Sequence, residues 1–301
     1  MTDISLYPID YIATGFVGAG CYDLIGTLQD KVNARSGDCL LLVDIPTDDD
    51  YLKCATDDES IKTSSLLSKL ETETSKLVLN KYCASFAPVC EIAGLSNIGG
   101  YTNSVLPASF YYLACAINAE ENLGYKDWFA VAGLTRGRRV NRIATPTVAF
   151  GDRDATICAP RQAGLNGTGF KYAINLVARQ TGGFYIWGNR TCAPLNTEGL
   201  TAEHFLNIQR LCMSLKKRIY STCKKLTFDP NSDILWSNFV GGIEPLLKDM
   251  QANQGINGYK IIRLKNADDP KAMMRARIRI VPIEAVEDFE IEISLEDLIE
   301  A

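Results

Sequence analysis

A chain of 301 residues, 47% hydrophobic and 22% charged, is long enough for a sizeable core and for two domains. Its formal net charge of −5 gives no overall attraction to nucleic acid or to an anionic membrane, and no apolar run reaches the roughly 18 residues of a membrane span. Ten cysteines without a Cys-x-x-Cys pair, beside the single His204, leave no zinc-ligand spacing, so no metal or cofactor is expected. Several cysteines lie in apolar runs such as Tyr111–Ala116, which reads as buried free thiols kept in a reducing cytoplasm.

In chain order, Tyr11–Thr14 reads as a strand and Gly15, Gly18 and Gly20 as a glycine-rich turn. A helix over Tyr22–Asn33 and a strand over Cys39–Val43 ending at Asp44 follow. An acidic residue roughly 20 positions or more past the glycines is what a dinucleotide-binding unit shows. The spacing, however, is Gly-x-x-Gly-x-Gly and not Gly-x-Gly-x-x-Gly, which favours a βαβ unit whose turns use glycine. The alternative is a nucleotide-dependent oxidoreductase with a Rossmann-like N-terminal unit. Residues 47–60 read as an acidic, solvated loop or helix start, and Ile61–Leu79 has helical periodicity. Tyr82–Val89 is an apolar strand interrupted by Pro88, and Pro107 opens an apolar helix to about Ala119. Trp128 follows. Residues 134–165 read as loop with a basic cluster, Arg136, Arg138, Arg139 and Arg142, taken as a surface salt-bridge patch because no aromatics interleave it.

Tyr172–Val177 is a strand, and Phe184–Trp187 is an aromatic strand that meets a turn at Gly188-Asn189. Arg190 then follows apolar residues and requires a carboxylate or carbonyl partner. After Thr191 the pattern changes. Thr201 is placed to cap a helix to about Leu226, with Phe205, Ile208, Cys212, Leu215 and Ile219 on one face. Arg210, Lys216, Lys217, Arg218, Lys224 and Lys225 lie on the other face, which suits an acidic partner. Ile234–Gln254 is a second helix bent near Gly241-Gly242 and Pro245, followed by strands at Lys260–Lys265 and Arg275–Val281. Phe289-Glu290-Ile291-Glu292-Ile293-Ser294-Leu295 alternates strictly, and from Glu284 onward eight residues are acidic and none basic. Such a strand must pair with a sheet edge, either a neighbouring molecule's or its own Arg275–Val281 strand. No nucleophile signature, phosphate-binding loop or carboxylate pair stands out, so no enzyme activity is expected.

An ordered series of these features resembles the contractile tail sheath proteins of bacteriophages and related injection machines. The series is Asp44-x-Pro46, the Tyr82–Pro88 strand, Pro107-x-Ser109, Trp128, the Asn166 to Asn175 run, Trp187-Gly188-x-Arg190-Thr191 and the terminal strand pair. The resemblance implies a mixed α/β (α+β) chain: residues 1–194 as a non-catalytic subtilisin-like sheath domain, and residues 195–301 as a sheath C-terminal domain with a donated strand. It implies a structural subunit that stacks as hexameric rings around a tail tube and contracts. Its partners would be further copies, the tube protein, and baseplate and tail terminator proteins. Nucleic acid and membrane insertion would play no part. Its location would be the virion tail, assembled in the host cytoplasm. The helix face of Lys216, Lys217, Lys224 and Lys225 would meet the tube or a neighbour. Family members also begin with an arm carrying a Pro-Gly-Val-Tyr motif. None precedes Tyr7, so the expectation is either a truncated chain or a short, divergent N-terminal arm.

Overall fold

The computed structural model describes residues 8–15, 21–35, 37–45, 59–92, 104–138, 144–146, 148–162, 170–264 and 273–287. Three of its most apolar short runs become the centre of a sheet. Leu40–Asp44 (β2), Cys83–Ala87 (β3) and Ile174–Gln180 (β7) lie side by side in parallel, flanked by Tyr11–Ala13 (β1) and Gly183–Trp187 (β8) in the order β1-β2-β3-β7-β8. Strands covered on both faces have no solvent side to mark with polar residues, so they read as continuous hydrophobic runs. Helices Tyr22–Ala34 (α1), Glu59–Lys76 (α2) and Asp152–Cys158 (α5) cover one face through Ile25, Val32, Leu66, Leu70 and Cys158. Helix Ala108–Ile117 (α3) covers the other through Tyr111, Tyr112 and Cys115. Cys90–Ile92 (β4), Ser104–Leu106 (β5) and Ala144–Pro146 (β6) form a small antiparallel sheet, and Gly133–Arg136 (α4) is a single turn.

Beyond Thr191, Leu206–Lys225 (α6) and Asp233–Ala252 (α7) pack on a two-stranded antiparallel sheet of Ile256–Leu264 (β9) and Arg275–Pro282 (β10). Trp128, from the first part of the chain, lies in this second core. α6 joins the two cores: Leu206 and Met213 face the five-stranded sheet, and Leu211 and Leu215 face α7. That double role corrects the sequence reading of its polar face. Arg210 is 1% exposed, with Nε on Tyr11 Oη at 2.8 Å, Nη1 on the Phe129 carbonyl at 2.9 Å and Nη2 on Glu120. A guanidinium tolerates burial when its donors are answered in this way.

The βαβ unit, the aromatic strand and both long helices lie where the sequence places them. Two details differ. α5 falls in the stretch read as loop, because seven residues are too few to show a period; its start is fixed by the Asp154 carboxylate accepting from Gly151 N at 2.8 Å. Thr201 caps a 3-10 turn at Ala202–His204, and α6 begins after it at Leu206. Gly18, Gly20, Pro46, Arg139, Arg142, Asn166 and the segment Phe289–Leu295, expected as a strand, lie outside the described residues. Nine cysteines are described and all nine are free. No helix among the described residues is long and apolar enough to cross a membrane.

Candidate functional site

The segment Trp187-Gly188-Asn189-Arg190-Thr191 forms a joint between the two cores. Gly188 passes so close to β7 that a Cβ there would stand 2.7 Å from Asn175 Oδ1 and 2.9 Å from Asn175 Cα. This approach lets the Asn175 side chain bridge the main chain: Arg190 N donates to Oδ1 at 2.7 Å, while Nδ2 donates to the Arg190 carbonyl at 2.8 Å and to the Ser85 carbonyl at 3.1 Å. Asn189 Nδ2 donates to Asn207 Oδ1 at 2.7 Å, and Asn207 Nδ2 reaches the Trp128 carbonyl at 3.2 Å. Thr191 donates through N to the His204 carbonyl and through Oγ1 to the Glu203 carbonyl, at 2.9 and 2.7 Å. The single histidine is structural as well: Thr201 N donates to its Nδ1 at 3.0 Å. The motif therefore ties the end of β8 to the start of α6 with amide and hydroxyl groups that a buried turn has to satisfy.

Arg190 is 2% exposed and finds the carboxylate that its position demanded. Nε donates to Glu287 Oε1 at 2.9 Å and Nη2 donates to Oε2, while the guanidinium lies over the Phe205 ring, 5.3 Å from its centroid. Glu287 lies in a strap, residues 283–287, that leaves β10 and crosses to this corner. The strap starts with Ile283 N donating to the Gly255 carbonyl. Between strap and joint lies a cavity of about 800 Å³, whose walls include Trp128, Arg136, Arg161, Trp187 and Arg190.

The other expected residues are spread out. Lys224 and Lys225 are exposed in the last turn of α6, and Lys216 is exposed above the Tyr82 ring. Lys217 turns inward instead, donating to the Ile9 carbonyl at 2.8 Å and pairing with Asp10, so it belongs to the contact between α6 and the chain before β1. In the basic cluster, Arg136 stacks on Tyr125 and Phe129 and donates to the Ala130 carbonyl, and Arg138 lies over Tyr185. The aromatic partners come from elsewhere in the chain, where a local reading does not find them.

Asp44, the acid that the dinucleotide reading needs, is committed elsewhere. Its carboxylate accepts from Ser109 N at 2.9 Å and from Ser109 Oγ, closing the first turn of α3. Burial raises its pKa to about 7 even though the Ser109 hydrogen bonds pull it down. Asp44 and Ser109, which the sequence presents in two separate motifs, thus meet in one helix cap. Among the described residues no cluster of side chains is arranged to hold a metal ion.

No family model matches the chain, and no curated protein does. Among solved structures it is similar to the sheath complex of an extracellular contractile injection system, PVC, in the contracted state. Identity is 15% and the TM-score 0.65, with 89% of this chain and 68% of that chain covered. It is also similar to a chain of the anti-feeding prophage baseplate, at 15% identity and TM-score 0.56, with 85% and 68% covered. The third is the contracted helical sheath of the anti-feeding prophage, at 14% identity and TM-score 0.56, with 88% and 67% covered. The chain has the mixed α/β fold of contractile injection system sheath proteins.

Proposed function

We propose that the chain is a structural, non-enzymatic subunit of a contractile sheath, polymerising as hexameric rings around a tail tube and contracting to drive the tube through a target envelope. The observation that carries this reading is the β9–β10 sheet. Among the described residues it has two strands, of nine and eight residues, and neither outer edge is hydrogen-bonded to another strand. Long open edges invite a further strand. Arg275, Arg277 and Arg279 are exposed along β10, and Glu290 and Glu292 of the alternating segment Phe289–Leu295 repeat at the same interval. The strap favours donation to another copy. Hairpin loops take about 2–5 residues, whereas this chain crosses from β10 to Arg190 and is gripped there by Glu287.

In this reading residues 1–194 form the body and residues 195–301 the coupling domain. The exposed Lys216, Lys224 and Lys225 face an acidic tube or neighbour. The tube, baseplate and terminator are the partners, and the particle is a virion tail or an injection device built in the host cytoplasm. A donated strand suits a lattice that shortens, because many main-chain hydrogen bonds hold two copies together while their bodies swing. Deleting Phe289–Ala301 is expected to leave a subunit with unchanged circular dichroism that forms no tubes in negative-stain electron micrographs. Normal sheaths from the deletion would rule the reading out.

A further inference from the structure

The β9–β10 sheet has two unlike faces, and its register assigns residues to them, because residues paired directly across a ladder project to the same side. On the inner face Ile278 pairs with Ile261 and Ile280 with Tyr259, and all four pack on the core around α7. On the outer face Arg275 pairs with Leu264, Arg277 with Ile262 and Arg279 with Lys260, so these six positions hold four cations and no acid. Arg277, Arg279 and Lys260 are exposed and make no ion pair among the described residues. Arg279 and Lys260 stand directly opposite each other, a like-charge pairing that costs stability until an anion lies alongside. The two edges also differ. The outer row of β10 is a run of alternate arginines, and its inner row, Ala276, Ile278 and Ile280, is apolar. The outer row of β9 has one lysine beside Ile262 and Leu264, and its inner row includes Arg263, already paired with Asp233.

We propose that Arg277 and the arginines on either side of it select where the Phe289–Leu295 strand of a second copy docks. The guest joins β10 and not β9, with Glu290 and Glu292 on the arginine face and its apolar residues continuing the inner row. The proposal rests on the strand-donation reading and adds an edge and a face to it. Only β10 suits both rows of the guest at once. Beside β9 the same strand would set a carboxylate against Ile262 or Leu264, and a slip of one residue on either edge would turn both glutamates toward the core. Glu290 and Glu292 repeat at the interval of the arginines. Two registers set both carboxylates opposite arginines, on Arg275 and Arg277 or on Arg277 and Arg279, and Arg277 is common to the two.

Fluorescein-labelled peptide Phe289–Ala301, and the same peptide with Glu290→Arg and Glu292→Arg, titrated into the full-length subunit at low salt, test the edge by fluorescence anisotropy. Arg277→Glu is expected to weaken the native peptide about fivefold and to tighten the reversed one by a similar factor. Arg277→Lys, which keeps the charge, is expected to leave the native peptide within about twofold, which separates a charge effect from a structural one. Lys260→Glu makes the same change of charge on the same face but one strand further from the guest, and is expected to alter either affinity less than about twofold. Equal effects of Arg277→Glu and Lys260→Glu, a larger effect of Lys260→Glu, or no effect of either overturns the assignment to β10 and leaves strand donation standing. Failure of the native peptide to bind the wild-type subunit overturns both.

Discussion

Replacing Asn175 with alanine removes the bridge on which the joint between the cores depends. Three hydrogen bonds disappear, at 2.7, 2.8 and 3.1 Å, each contributing about 1 kcal/mol net. Asn175 is fully buried and Arg190 nearly so, so the N–H and carbonyl of Arg190 lose their partner where water does not replace it. An unsatisfied buried group costs about 1–3 kcal/mol, which puts the expected loss for Asn175→Ala at about 3–5 kcal/mol. Gly188→Ala attacks the same contact from the other side, since its Cβ would meet Asn175 Oδ1 at 2.7 Å and Cα at 2.9 Å. Overpacking of that kind costs about 1–3 kcal/mol. Because both substitutions break one arrangement, the double variant is expected to fall short of the sum by about 1 kcal/mol or more. Urea unfolding followed by tryptophan fluorescence measures all three, with Trp187 beside the change. A loss below about 1 kcal/mol for Asn175→Ala, or strict additivity of the pair, would refute the account of the motif as a hydrogen-bonded knot.

Two further predictions concern single residues. Asp44 has a folded-state pKa of about 7, raised from 3.8 by burial, so between those values the folded chain holds a proton that the unfolded chain releases. Its contribution is full below the unfolded pKa and is lost as pH rises through about 7, at most about 4 kcal/mol across the window. Stability measured from pH 4 to 7 is therefore expected to decline less steeply in Asp44→Asn than in the wild type, and parallel curves would refute it. Phe228 sits at φ 77° between α6 and α7 and is fully exposed, so its side chain gives no burial in return for a left-handed backbone. Phe228→Gly is expected to stabilise the fold by about 1 kcal/mol in urea unfolding, and a loss of stability would contradict this.

Much of the scaffold was legible because its signals are local. The βαβ unit, the aromatic strand and the amphipathic helices each carry their period within a dozen or so residues. The site was legible only in part, because its chemistry joins distant positions. Arg190 announced that it needed a carboxylate, but Glu287 lies 97 residues away in a run where every second or third residue is acidic. Nothing local separates that glutamate from its neighbours. Asn175 did leave a trace: an amide between Ile174 and Leu176, in a strand buried on both faces, must be bonded to something inside. Arg210 was misread because a helix wedged between two cores has no single wet face, and a pattern drawn for one apolar stripe puts a buried guanidinium in solvent. Lys217 was misread for a similar reason, its partner being the chain just before β1.

The joint and the open sheet place opposite mechanical demands on one short stretch of chain. A link that survives rearrangement needs a firm root and a free end; if both were soft, strain would unfold the subunit before it moved the lattice. The root here is firm in a specific sense. Arg190 is fixed through its main chain by Asn175, through its ring contact by Phe205 and through two of its nitrogens by Glu287, so the strap meets a guanidinium that has little freedom to follow it. The other end of the strap leaves β10, whose outer edge is paired with no other strand among the described residues. Load passing along a paired strand would therefore arrive at Arg190 and divide there between the two cores, through Asn175 into the five-stranded sheet and through Phe205 and Asn207 into α6. On the proposed reading, that division would account for the motif lying at the junction of the two cores and not within either one.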